Sequence, residues 1–263
     1  MTTIGTAARK SGRQAMSTWR LEWLRFTRTR RWIALFGVYL FFGMLGPVVA
    51  RYMAQLMENV QSEITIIVPP PQPKDGTVNY LSQVGQIGLI VVVVIAAGAL
   101  AFDARRGVST FLRTRTNSMW RLVFPRVAVP AAAAVLAYSL GLGAVWYGTT
   151  LLLGPLPVGP MLAGWLCESL YLTFVVAVVA AASSVARSAL GTVGVSLGAV
   201  IALSVAGSVG VLHRWLPTTL SGAPVALLGT DRLVDYLPAM AVSAVTSVAL
   251  VAMAVSRLRR REI

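Results

Sequence analysis

Residues 81–102, LSQVGQIGLIVVVVIAAGALAF, carry no charged side chain, and residues 103–126, DARRGVSTFLRTRTNSMWRLVFPR, carry seven. Wound as an α-helix at 1.5 Å per residue, the first stretch is about 33 Å long, close to the ~30 Å hydrocarbon core of a bilayer. The second holds Arg105, Arg106, Arg113, Arg115, Arg121 and Arg126 against a single acid, Asp103. An apolar helix that stops at a basic block reads as a membrane span with its flank. A further apolar run, 127–153, follows at once. The basic block is therefore a short connection between two spans.

The rest of the chain supports this reading. Its 263 residues are 56% hydrophobic and 12% charged, with mean hydropathy +0.72. A soluble domain carries about 25% charge, so this apolar excess calls for several spans rather than one globular core. A net charge of +14 invites a nucleic-acid reading. The basic residues nevertheless sit in short blocks between apolar runs, the pattern of topology signals, and no nucleic-acid partner is expected. Cys167 and His213 are single. They exclude a disulfide within the chain and a Cys/His metal cluster, so no metal is expected.

Six apolar runs are long enough to cross a bilayer: 32–50, 81–102, 127–153, 160–185, 190–212 and 236–256. Placed on this frame, nineteen Lys and Arg residues fall on one side and four on the other. The rich side holds the N-terminal tail, the second connection, Arg187 and the C-terminal tail. Both termini are thus expected in the cytoplasm, with the chain multi-pass in a cell membrane. The expected organisation is a tail with an amphipathic helix over 1–31, a six-span unit over 32–256 and a basic tail over 257–263. The fold class is all-α. Residues 1–31 have a basic region but no apolar core or cleavage site, so no signal peptide is expected there.

Four local features stand out. In MSTWRLEWLRFTRTRRW, Met16, Trp19, Leu21, Trp23, Leu24 and Phe26 recur at spacings near three and four, which predicts an interfacial amphipathic helix. The first outer connection contains VPPPQPKDG, whose prolines predict an extended, stiff segment. Residues 212–238, LHRWLPTTLSGAPVALLGTDRLVDYLP, are too apolar for a plain loop. Breaks at Pro217, Gly222, Pro224 and Gly229 make them too interrupted for a span, so a re-entrant hairpin is expected. In the fifth span, Gly194 and Gly198 form a GxxxG pair for close helix packing. Packing within the chain is the expectation, and packing against a second copy the sharper alternative.

Several chemistries are missing. No lysine follows a glycine, so no P-loop binds ATP, and one histidine cannot make HExxH. No enzyme activity is expected in this chain. One acid is unusual: Glu168 lies in GWLCESLYLTF, about 12 Å along the fourth span from Pro160. A carboxylate at that depth faces a bundle interior or an aqueous cavity. It reads either as a structural partner or, with Tyr171, as part of a translocation pathway. Trp146 and Tyr147 fit the same level or an interfacial aromatic belt.

Three readings of the basic connection compete: lipid contact, nucleic-acid binding and docking to a cytoplasmic protein. The first explains some arginines, and the second lacks a fold. Six spans, a helix before the first, a short charged segment between spans two and three and a broken hairpin before span six resemble the membrane subunit of a type-2 ABC transporter. The string AGALAFDARRGVSTFLRTRTNS is similar to that family's pattern after span two. There an acidic residue and a glycine precede a Thr/Leu/Phe-rich coupling helix. Asp103, Gly107 and residues 110–114 occupy those places, with aspartate where the family usually has glutamate. The ending SRLRRREI resembles the family's basic stop, and no EAA-type loop is apparent, which favours export.

The resemblance implies a separate ABC ATPase subunit in two copies, carrying the ATP and Mg, and a second permease chain, identical or paralogous. It implies ATPase contact through Asp103, Arg105, Arg106, Gly107, Thr110, Phe111, Arg113 and Arg115. A second, smaller contact falls at Ser183 and Arg187. The alternatives are an ATP-independent small carrier or channel and a non-transporting membrane anchor or assembly factor.

Overall fold

The computed structural model describes residues 19–58, 70–100, 119–186, 188–208 and 210–260. Among the described residues there are helices and turns and no strand. Six helices are long and apolar enough to span a membrane: Arg31–Met53, Pro73–Leu100, Val123–Leu152, Val158–Ser183, Ala189–Gly207 and Leu233–Leu258. The chain is an all-α polytopic membrane protein, and we number these spans one to six.

Span four is the central helix. In its most apolar window 72% of residues are buried, against 17% in span five. It packs on spans two, three, five and six. From Val175 to Ala182 its residues are all valine or alanine, and all are buried. Spans one and three make the other large contact. They cross where both lack side chains: a Cβ on Gly43 would collide with the Gly141 carbonyl. A Cβ on Gly46 would likewise collide with the Gly76 carbonyl of span two. Close backbone approach replaces the hydrophobic drive that lipid removes.

Span two starts at Pro73, earlier than the expected residue 81. Its first turns carry Lys74, Asp75 and Asn79, which dilute the hydropathy and hide the start. The Gln72 backbone N–H donates to Asp75 Oδ2 at 2.7 Å. Pro73 stands in the first turn, where its missing N–H costs nothing. The proline-rich segment therefore serves as a helix start, not only as a stiff loop. One turn of π-helix, Val84–Gly88, interrupts the span. There a Cβ on Gly88 would lie 3.1 Å from Tyr39 Cζ, so glycine makes room for that ring.

Span five runs from Ala189, capped by Ser188 Oγ accepting from Gly191 N at 3.0 Å, and ends at Gly207, short of the expected 212. Its GxxxG pair does not pack within the chain. Gly194 and Gly198 are exposed, and a Cβ on either would meet nothing within 4 Å. The expectation of intramolecular packing there is corrected: the glycines that permit close approach are in spans one to four.

The segment before span six breaks as its prolines and glycines require. Gly210–His213, a 3-10 turn at Pro217–Ser221 and Ala223–Ala226 follow one another. The last two fold back onto span four, where a Cβ on Gly164 would collide with Pro224. Gly164 is six residues into that helix, so the segment reaches about 9 Å down it. Leu220 and Ala223 are completely buried in this contact.

Before span one, residues 19–28 form a helix. Phe26 anchors it in the core at 7% exposure, while Trp19, Leu21, Trp23 and Leu24 stay exposed. Trp19 meets Phe124 edge-on at 5.9 Å. The apolar positions away from Phe26 are thus exposed, where an interfacial helix would meet lipid.

Candidate functional site

The spans bring one set of polar side chains together inside the bundle. Glu168 is 5% exposed and sits ten residues into the helix Val158–Ser183, about 15 Å from its start. Tyr171 lies nearly one turn further on the same helix and is also buried. Span one supplies Tyr39, span two Tyr80 and span three Tyr138, and all three rings are fully buried. Tyr80 and Tyr138 stack with centroids 6.2 Å apart, and Tyr39 meets Tyr138 edge-on at 6.4 Å. The Tyr80 hydroxyl donates to the Tyr138 carbonyl at 3.3 Å. All four tyrosines are within electrostatic range of the Glu168 carboxyl.

Helix geometry explains the convergence. Gly141 is one turn beyond Tyr138, and a Cβ there would collide with the Tyr80 hydroxyl and the Tyr39 carbonyl. Glycine at 141 therefore lets span three approach both neighbours closely enough for the rings to stack. Above the cluster, Trp165 Nε1 donates to Ser139 Oγ at 2.8 Å and ties span four to span three.

The cluster is not saturated with hydrogen bonds. Among the described residues, Glu168 Oε2, Tyr39 OH and Tyr138 OH have no partner. Buried polar atoms are normally satisfied, and each exception calls for a reason. An ionised carboxylate here calls for a cation, and a neutral one offers an O–H to the phenols. The arrangement suits holding a proton or a small cation.

The other sequence-derived candidates fall as follows. Asp103, Arg105, Arg106, Gly107, Thr110, Phe111, Arg113 and Arg115 lie outside the described residues, as does Arg187. Ser183 ends the span-four helix, and its hydroxyl donates to the Ala180 carbonyl at 2.8 Å. Trp146 and Tyr147 are 42% and 65% exposed, as members of an interfacial aromatic belt would be. Arg126 belongs to the core instead of the surface. It is 5% exposed, and its Nε donates to Glu22 Oε1 at 2.7 Å, fastening the helix 19–28 to the foot of span three.

Tyr39, Tyr80 and Tyr138 were missed from the sequence. A partial signal existed: Tyr39, Tyr138 and Tyr171 fall inside the apolar runs, away from the interfaces where tyrosine usually sits, while Tyr80 stands just before the run expected for span two.

No protein-family model matches the chain. It is 22% identical over 205 residues to the "uncharacterized transmembrane protein YxlG" of Bacillus subtilis (strain 168), covering 76% of this chain and 79% of that one. With the six apolar helices, that likeness places the chain among multi-pass membrane proteins.

Proposed function

We propose that the chain is the membrane-spanning permease subunit of an ATP-driven ABC transporter, working in export with a separate ATPase and a second permease chain. The observation that carries this reading is the order of elements. A helix lies before span one, a basic connection follows span two, and a broken segment precedes span six. The Glu22–Arg126 pair adds to it. It joins the helix 19–28 to span three, so a force on the connection between spans two and three would reach both. On this reading the arginine-rich end is cytoplasmic. These 263 residues hold no P-loop, so on this reading the partner subunit binds the ATP.

The test is co-purification with a soluble ATPase carrying Walker motifs that is encoded beside this chain. Substitution of Arg105, Arg106 and Phe111 is expected to abolish binding and transport-coupled ATP hydrolysis. Unchanged binding and hydrolysis would sink the docking role. One observation favours a second reading, an ATP-independent carrier: the Glu168 cluster is enclosed by one chain and could couple transport to a proton or cation without a partner.

A further inference from the structure

We propose that the arginine-rich end of the bundle carries a binding site for the phosphate headgroup of an anionic lipid. A cavity of about 120 Å³ opens there between the helix 19–28 and the feet of spans one, two and three. A single buried water needs roughly 10–15 Å³ on this measure, so the cavity has room for a phosphate group but not for a whole lipid. Arg25, Arg31 and Arg126 line it, with Glu22 as the one acid, leaving two net positive charges around the space.

The arginines are held by the fold. Arg126 is buried and fixed by the 2.7 Å bond to Glu22, and Arg25 lies 3.9 Å from the same carboxylate. The Arg31 guanidinium lies over span two at Gly98, where a Cβ would come 2.7 Å from its Nη1. Glycine at 98 therefore creates the seat for that cation. Guanidinium forks match phosphate oxygens in geometry, and phosphate is the chemistry that such a cluster selects.

The walls indicate a lipid as the source of that phosphate. Ile95, Val129 and Pro130 line the remaining sides of the cavity. Trp19, Trp23 and Leu24 stay exposed on the adjoining helix, where acyl chains and a membrane interface would cover them. Basic pockets between spans at a membrane face hold anionic headgroups in this way. The proposal does not depend on the transport reading.

The test uses the full chain purified in mild detergent and exchanged into nanodiscs of phosphatidylcholine with 1-palmitoyl-2-oleoyl phosphatidylglycerol. Native mass spectrometry then counts the retained lipids. Wild type is expected to keep one phosphatidylglycerol in preference to phosphatidylcholine. Arg25→Gln and Arg31→Gln should each lower its occupancy constant about fivefold. Arg28→Gln, on the same helix but outside the cavity, should match wild type. Equal retention of both lipids, or unchanged retention in both cavity variants, overturns the site. Protection from thermal unfolding by inorganic phosphate alone, equal to that by phosphatidylglycerol, overturns the lipid assignment. Arg25 and Arg31 are exposed, so both variants should fold, and an unchanged melting temperature without lipid checks this.

Discussion

Glu168→Met should make the protein more stable and less active. The carboxyl is 5% exposed, and its Oε2 has no hydrogen-bond partner among the described residues. A buried polar group left unsatisfied costs about 1–3 kcal/mol. Methionine fills nearly the same volume without that penalty, so Glu168→Met is expected to gain about 1–3 kcal/mol. Glu168→Gln keeps the shape and a polar head, and should stay within about 1 kcal/mol of wild type. The chain carries its own probe: Cys167, its single cysteine, is fully buried and adjacent to the carboxylate. A thiol there reacts only when the core opens, so labelling by a maleimide dye reads the opening equilibrium. The gain should slow labelling of Glu168→Met about 5- to 150-fold. Transport, once a substrate is in hand, should fall in both variants. Faster labelling of Glu168→Met than of wild type would mean that the carboxyl holds a structural bond, and the reasoning would fail. Normal transport by both variants would remove Glu168 from the mechanism.

Four further outcomes follow from the geometry. Gly141→Ala drives a methyl into the Tyr80 hydroxyl and the Tyr39 carbonyl, and should lower stability by about 1–3 kcal/mol in the same labelling assay. Gly194→Ala and Gly198→Ala point into open space. They should leave that assay unchanged within about 0.5 kcal/mol, so a shift in elution volume without one in labelling would mark this face as a contact with a second chain. For the part-buried Glu22–Arg126 pair, Glu22→Gln should cost about 1–3 kcal/mol because it weakens a charge-assisted bond to the buried guanidinium. The double variant with Arg126→Met should cost less than the two single effects together, and strict additivity would show that the pair is not coupled. Asp75→Ala removes the bond from Gln72 N that starts span two. It should cost about 1 kcal/mol, read as loss of helical circular dichroism at lower denaturant.

The number of spans was legible because each needs a run of apolar residues, and arginine blocks separate the runs. The ends were less legible. Lys74, Asp75 and Asn79 are polar yet helical at the start of span two, because Pro73 and the Gln72–Asp75 bond set the first turn regardless of hydropathy. Glu168 could be singled out because one acid in an apolar stretch is conspicuous. Its neighbours could not, since Tyr39, Tyr80 and Tyr138 come from three other helices separated by up to 99 positions (39 to 138). The same limit applied to the glycines. The sequence favoured span five, where glycine is frequent, but the close crossings occur at Gly43, Gly46, Gly76 and Gly141. Helix spacing defines a face, and only the tertiary arrangement says which face meets a neighbour.

The placement of Glu168 also separates the two transport readings. A permease built as half of a two-chain pathway must present its lining residues on a surface shared with the second chain. Glu168 and Tyr171 do not lie on such a surface, because both are buried within a single chain at 5% exposure. In a two-chain permease the cluster would therefore act inside each half, as a joint between span four and spans one to three whose packing changes with protonation. In a one-chain carrier it would sit on the pathway itself. The first case predicts that Glu168→Gln alters the coupling of ATP hydrolysis to transport while substrate affinity stays constant. The second predicts that affinity itself changes and that no ATPase is needed. Measuring substrate binding and transport on the same reconstituted Glu168→Gln protein distinguishes them, because only a residue on the pathway contributes directly to the bound state.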